Sequence, residues 1–208
     1  MDANKYLNDI SEIKNMMNRS SRFISLSGLS GILAGIYALV GAYLAYQTIY
    51  FDQAEMGSYK TLVISEQAVI KLLIIAGSVL ILSVVTGIFL TVRKAQKQGE
   101  KIWDKSTQRL VINFLIPLIT GGILILHLIE KEQFSLIAPL TLLFYGLAII
   151  NASTYTISNV RYLGVTLLVL AFISLWFIGY GLLFWAIGFG FCHIFYGAMM
   201  YFKYEKHS

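Results

Sequence analysis

The chain has little charge, almost no cysteine and almost no proline. Only 13% of its 208 residues are charged, whereas soluble domains carry about 25%, so an ordinary soluble domain is excluded. A single cysteine, Cys192, excludes an intrachain disulfide. The sequence also lacks a Walker loop, an HExxH motif and paired catalytic carboxylates. We therefore expect a protein that is not an enzyme.

The basic residues and histidines do not indicate a nucleic-acid, metal or cofactor site. The net charge is +5, but the basic residues lie beside apolar runs, as membrane-orienting charges do. Cys192 has no His, Asp or Glu partners at metal-ligand spacing. His127 and His193 would differ in membrane depth by about 13 Å, too much for one haem. We predict no nucleic acid, no metal and no cofactor.

What the chain has in abundance is long apolar runs. Hydrophobic residues make up 57% of it, and mean hydropathy is +0.71. At ~1.5 Å per residue, roughly 20 apolar residues cross a bilayer core of ~30 Å. The sequence predicts an all-α polytopic membrane protein, a six-helix bundle in residues 23–202. Its spans are 23–50, 68–92, 110–129, 134–150, 160–178 and 182–202.

The segments outside the spans indicate an orientation. Residues 1–22 have the pattern of a short amphipathic helix, and residues 203–208 form a polar tail. With the N-terminus inside, thirteen of the 16 Lys and Arg residues lie in cytoplasmic segments, a strong positive-inside bias. The first run far exceeds the apolar region of about 7–15 residues in a cleavable signal peptide. We expect an uncleaved first span and both termini in the cytoplasm.

Small residues recur on one side of two spans. In lipid, helices associate through close van der Waals approach, which small side chains permit. The first span should therefore be central and contacted by several neighbours. The last span has a similar stripe beside His193. The predicted packing residues are Gly28, Gly31, Gly35, Ala38, Ala42, Gly190 and Gly197.

Local signals mark the ends and a bend of the middle helices. Ser65 is suited to cap the start of the second span, and Gly99 is the expected break after it. Proline removes a backbone hydrogen bond and clashes with the preceding turn, so a kink is expected at Pro117. Gly121 and Gly122 follow it one turn later and extend the predicted kink.

Polar side chains within apolar spans are costly in lipid, and each is therefore a functional hypothesis. Asn113, Thr120 and His127 share one side of the third span, and His193 projects from the last. We predict these four as an interior ligand-binding set. The alternative for His193 is a hydrogen-bonded packing residue, and local backbone capping explains Asn113 equally well.

A second candidate site lies toward the outside. Glu66, Lys71 and Glu130 are expected at similar depth, where they would line a shallow outer vestibule. The alternative is that they are ordinary solvated charges at the ends of helices. Lys71 lies only a turn inside its span, so its ammonium is able to snorkel outward.

Two segments carry a resemblance. SRFISLSGLSG, at residues 21–31, resembles the start of a group of bacterial six-span membrane proteins that has no assigned activity. GYGLLFWAIGFGFCHIFYG, at residues 179–197, resembles the last hairpin of the same group. The resemblance covers the whole chain in length and span count. It implies a bacterial inner-membrane protein.

Three functional hypotheses follow. The first is a non-enzymatic protein with an intramembrane recognition site for a small ligand or a partner, in a sensory or regulatory role. The second is a small-solute transporter, or its substrate-binding subunit, in which the Pro117 helix moves. The third is a structural subunit whose small-residue faces bind another membrane protein or a second copy of the chain. In all three the lipid bilayer surrounds the protein.

Overall fold

A computed structural model describes residues 27–50, 65–99, 102–156 and 159–205. Within these ranges the chain forms helices and no strand, which confirms the predicted all-α class. The expected amphipathic segment at residues 1–22 lies outside the described residues, as does most of the predicted tail.

The helices follow the apolar runs. Near the end of the sequence, α6 (Gly181–Trp185), a π-helical turn (Ala186–Cys192) and α7 (His193–Tyr204) continue one another. We call them together the composite helix. Short 3₁₀ turns, Phe134–Leu136 and Ser153–Tyr155, flank α4. The bounds are α1 Gly28–Tyr50, α2 Glu66–Lys97, α3 Lys105–Glu130, α4 Ile137–Ala152, α5 Val160–Trp176, α6 Gly181–Trp185, the π-helical turn Ala186–Cys192 and α7 His193–Tyr204.

Among the described residues, five helices are long and apolar enough to cross a membrane. They are α1, α2, α3, α4 with its flanking turns, and the composite helix. The sixth apolar helix, α5, has 17 residues, at the lower end of the length range for a membrane span. The architecture is therefore compatible with a membrane helical bundle.

Polar caps, rather than the ends of the apolar runs, fix the helix boundaries. Ser65 caps α2 as predicted, because its Oγ accepts the N–H of Ala68 at 3.2 Å. Asp104 caps α3, whose first residue is Lys105 rather than the expected residue 110. α2 ends at Lys97, two residues before Gly99, which has φ +65°. Both helices are thus longer than their predicted spans of 68–92 and 110–129.

The region of the predicted kink is one continuous α-helix. α3 continues through Pro117 as one α-helix from Lys105 to Glu130. Gly121 is buried against Phe144 of α4, where an added Cβ would lie 2.5 Å from the phenylalanine side chain. A Cβ at Gly122 would have nothing within 4 Å. Gly121 therefore serves close packing, while a bend at Pro117, Gly121 and Gly122 stays a prediction.

The helices form two groups that meet at the composite helix. α2 packs on α1, and we call these the helix pair. α3 packs on α4, and α4 on α5, and we call these the helix trio. The composite helix packs on α1 on one side and on α4 and α5 on the other. The principal packing between pair and trio thus runs through this one helix.

Glycines make the contact between α1 and the composite helix. An added Cβ at Gly197 would lie 2.6 Å from the backbone nitrogen of Ile32 and 2.7 Å from the carbonyl oxygen of Gly28. One at Gly35 would lie 2.7 Å from the oxygen of Gly190. Gly31, Ala38 and Ala42 continue the same side of α1.

The structure differs from the expectation that the first span is central. α1 packs chiefly on α2 and the composite helix, and the composite helix is the element that reaches both groups. The physical reason is that one narrow glycine stripe admits one closely packed partner. The remaining sides of α1 are occupied by α2 or expose large apolar side chains such as Val40 and Tyr43, which are 55% and 61% exposed.

The buried leucines lie in the helix trio, whereas on α2 the buried residues are two alanines, Ala68 and Ala95. Leu142 of α4 and Leu167 of α5 are both 0% exposed. On α2, Ile74, Ile81 and Ile88 are each more than 60% exposed. Water-soluble proteins rarely present so continuous an apolar surface, and the composition of α2 suits an apolar surrounding instead.

Candidate functional site

His193 lies where the composite helix changes from π-helical to α-helical. π-helical turns are rare and occur frequently at functional sites. Its side chain is buried, with 6% of the residue exposed. Nδ1 lies 2.9 Å from the carbonyl oxygen of Gly188, which can only accept, so Nδ1 carries the proton. Nε2 of the neutral ring therefore accepts the hydroxyl hydrogen of Tyr145, at 3.0 Å.

Aromatic rings surround this hydrogen bond. Tyr145 of α4 lies 5.9 Å, centroid to centroid, from Phe114 of α3 in an edge-to-face arrangement, and 5.0 Å from Phe189. Phe189 stacks on His193 at 5.9 Å and reaches Trp185 at 4.9 Å. These five residues form what we call the aromatic cluster. It joins two helices of the trio to the composite helix.

The aromatic cluster leaves no open ligand position at the imidazole, because both ring nitrogens are bonded to protein atoms. In the described part of the chain, no group of three His, Cys, Asp or Glu residues has the geometry to hold a metal ion. Cys192, beside His193, is half-buried and free. The arrangement can order helices, and a ligand at Nε2 would have to displace Tyr145.

The four residues predicted as an interior site do not share a hydrogen-bond network. Asn113 and Thr120 each donate to a carbonyl one turn back in α3, both at 2.8 Å. His127 is exposed, and its Nδ1 lies 3.8 Å from Glu130. His193 is bonded to Tyr145 instead. The side-chain bonds of the three α3 residues are thus local or solvent-facing, although Asn151 of α4 donates to the backbone carbonyl of Asn113 at 2.9 Å. His193 belongs to the aromatic cluster.

The residues predicted for an outer vestibule fall into different parts of the bundle. Glu66 and Lys71 belong to α2 of the helix pair, and both are exposed. Glu130 ends α3 of the trio, where it also lies 3.7 Å from Lys131. Lys71 borders a groove in the helix pair to which neither carboxylate contributes.

This groove lies between the end of α1 and the start of α2. It is open and has a volume of about 320 Å³. Its lining combines one cation and two neutral polar side chains with aliphatic ones. Gln47 is held by its neighbour, since its Nε2 donates to the hydroxyl of Tyr43 at 2.8 Å. The lining residues are Leu44, Gln47, Thr48, Lys71, Ile74 and Ile75.

Two functional features were missed by the sequence-based predictions. Tyr145 lies in an apolar run, and the available signal was that a tyrosine in such a run needs a partner for its hydroxyl. Glu205 was assigned to the polar tail. Its carboxylate accepts the N–H of Gly28 at 2.5 Å and pairs with Lys94 at 3.2 Å. It thus joins the start of α1, the end of α2 and the end of the composite helix, which no local pattern indicates.

The resemblance to bacterial six-span proteins stays a prediction, since it is carried by two short segments. Comparison with protein-family models, with curated proteins and with solved structures found no match to this chain.

Proposed function

We propose that this chain is a non-enzymatic, multi-pass protein of a bacterial inner membrane that recognises a small amphiphile or a membrane partner. Recognition takes place on the lipid-facing side of the bundle, and both termini are cytoplasmic. The observation that carries the proposal is the division into a helix pair and a helix trio joined by one composite helix. An occupant of one group can then change its packing against the other.

Insertion in a bilayer is supported by the exposed surface. The isoleucines of α2 are matched on α3 by Ile116 and Ile123, which are 57% and 65% exposed. Such surfaces are unfavourable in water and neutral against lipid tails. Trp176, 79% exposed at the end of α5, is the residue type that anchors helices at a membrane interface.

Two contacts give the proposed route of coupling. Backbone-to-backbone approach at Gly28 and Gly197 makes the position of α1 sensitive to any movement of the composite helix. The hydrogen bond between Tyr145 and His193 ties the same composite helix to the trio. A ligand or partner that shifts the helix pair therefore also changes the packing of the aromatic cluster. This coupling gives the protein a sensory or regulatory role.

A structural-subunit role is the second candidate, and two glycines of α2 favour it. An added Cβ at Gly77 or Gly87 would meet nothing within 4 Å, so both glycines are available to a helix of another protein or a second copy. Transport has less support. Asn113 and Thr120 each donate to a backbone carbonyl of α3 itself, and no hydrogen bond between their side chains is found among the described residues.

The proposal is tested by measuring the distance between the two groups. Nitroxide labels are attached at Ile81→Cys on α2 and Ile119→Cys on α3 in a Cys192→Ala background. The distance between them is measured by pulsed electron paramagnetic resonance in nanodiscs. We expect the distance distribution to differ between nanodiscs of phosphatidylcholine and nanodiscs of total bacterial lipid extract. We also expect Tyr145→Phe to reduce that difference. Identical distributions in both lipids would overturn the proposal.

A further inference from the structure

We propose that the groove between α1 and α2 binds the headgroup of an anionic phospholipid. The phosphate would lie against Lys71, and one acyl chain would lie along the aliphatic wall. The inference rests on the proposed lipid-facing position of the helix pair, and it adds the chemical class of the ligand and the residues that recognise it.

Charge is the first argument. Within the described residues, Lys71 is the one cation of the groove and forms no ion pair. Lys71 is exposed, and Leu44, Ile74 and Ile75 line the same groove beside it. In the proposed lipid-facing position the effective dielectric is lower than in open water, so this ammonium attracts an anion more strongly there.

The hydrogen-bond donors of the groove suit a phosphate. Thr48 uses its hydroxyl hydrogen on the carbonyl of Leu44 at 2.9 Å, so its oxygen is left as an acceptor. Gln47 gives one of its two amide hydrogens to Tyr43, and the second is available to a ligand. The ammonium of Lys71 and this amide hydrogen offer two donors to a phosphate oxygen. A zwitterionic headgroup offers the same phosphate but adds a cation that Lys71 repels, so a headgroup with net negative charge is favoured.

The shape of the helix pair suits an acyl chain beside the headgroup. Below the groove, α1 and α2 close together at Gly41, where an added Cβ would lie 2.5 Å from Val79. Further along, Tyr37 and Thr86 join the two helices at 3.4 Å. The groove is therefore open only near the helix ends, and a chain leaving it passes over the exposed side of α2.

The expected depth of Lys71 in the membrane also agrees with binding of a lipid headgroup. Tyr46 and Tyr50 pack together at 4.7 Å at the end of α1, and tyrosines mark the level of lipid headgroups. Lys71 borders the same turn of α1, at Gln47 and Thr48. The ordinary alternative is a lysine that snorkels into water, and such a lysine would show no preference among lipids.

Native mass spectrometry of the full chain released from nanodiscs tests the site. The discs contain equal amounts of phosphatidylglycerol and phosphatidylcholine, which differ in charge. We expect one phosphatidylglycerol to be retained over phosphatidylcholine by about fivefold, the factor typical of one lysine beside an anionic lipid. Lys71→Gln should remove this preference. Lys131→Gln, which changes an exposed lysine outside the groove, should keep it.

Further measurements identify the source of the anion and cover the case in which the Lys71→Gln variant does not fold. Inorganic phosphate at millimolar concentration should not displace the retained lipid, and displacement would overturn the phospholipid assignment. If Lys71→Gln does not fold, Gln47→Leu should weaken the preference and Lys71→Arg should preserve it. Equal preference in the wild type and in every groove variant overturns the site. A preserved lipid preference without any change in the distance between helix pair and trio would overturn the proposed function alone.

Discussion

At the scale of single residues, the bond between Tyr145 and His193 is the most consequential contact in the bundle. It lies in apolar surroundings, and a buried polar atom that loses its partner there cannot turn to water. The carbonyl of Gly188 fixes the tautomer of the imidazole, which in turn makes the tyrosine the donor. One proton position therefore orders two helices.

Tyr145→Phe removes that donor and leaves Nε2 of His193 without a partner. We expect a loss of about 1–3 kcal/mol in stability, the usual cost of an unsatisfied buried polar atom. Thermal unfolding in detergent measures it. His193→Leu should cost a similar amount, but the double variant should cost clearly less than the sum, because both polar atoms are then gone. Additive losses would contradict the hydrogen bond.

Asp104 gives a prediction about pH. Partial burial raises the pKa of its carboxyl, but hydrogen bonds from the N–H and hydroxyl of Thr107, at 2.7 and 2.8 Å, outweigh this and bring the pKa below its ordinary value. A lowered pKa in the folded state stabilises the protein above about pH 4, and this is lost as pH falls through the lowered value.

The test compares the wild type with two variants between pH 6 and pH 3. Asp104→Ala should lose about 1 kcal/mol at pH 6, the usual cost of a lost helix cap. Asp104→Asn should keep most of the cap while its melting temperature loses this pH dependence. A wild type that shows the same pH profile as Asp104→Asn would contradict the assignment.

At the scale of helices, glycines with opposite surroundings give a matched pair of predictions. Gly197→Ala places a methyl group 2.6 Å from the backbone of Ile32, so α1 must move and the melting temperature should fall. Gly87→Ala on α2 meets nothing within 4 Å. It should be neutral, or stabilising by up to about 1 kcal/mol through helix propensity. Equal effects in the monomeric protein would contradict the packing.

Glu205 tests how the ends of three helices are joined. Its side chain and that of Lys94 are each 12% exposed, so water weakens their interaction less than at an open surface. Glu205→Gln keeps an oxygen for the N–H of Gly28 but loses the ion pair, and Glu205→Ala loses both. We expect a graded fall in melting temperature, with the alanine variant lower. The reverse order would show that the capping bond is unimportant.

Helix content followed from the sequence because each apolar run is long and uninterrupted, and Ser65 marked its own helix through a local capping pattern. The sequence did not indicate which helices pack on one another. Nearly every side of α2 is apolar, so its hydrophobic pattern does not indicate which side meets α1. Gly41 and Gly28 look alike in the sequence, yet one packs against α2 and the other against the composite helix.

The site shows the same limit. His193 attracted attention as a polar residue within a span, and its partner Tyr145 lies 48 positions earlier in the chain. Lys71 was expected to lie with Glu66 and Glu130 because their depths along the helices agree. Depth says nothing about position around the bundle, and α3 belongs to the other helix group.

At the scale of the whole molecule, the orientation can be measured directly. In a Cys192→Ala background, we expect Lys131→Cys, between α3 and α4, to react with a membrane-impermeant maleimide on intact cells. Gln98→Cys, after α2, should react only after the membrane is permeabilised, because the positive-inside bias predicts a cytoplasmic position for it. The opposite labelling pattern would invert the proposed topology.

The position of the composite helix in the chain has a consequence for biogenesis. Among the described helices the composite helix follows all the others in the chain, yet it supplies the principal packing between the earlier groups. In the proposed membrane location, the helix pair and the helix trio would be separate assemblies until this helix is inserted, each with its future contact surface covered by lipid. A nascent chain arrested after α5 would therefore hold two helix groups that lack their principal packing element.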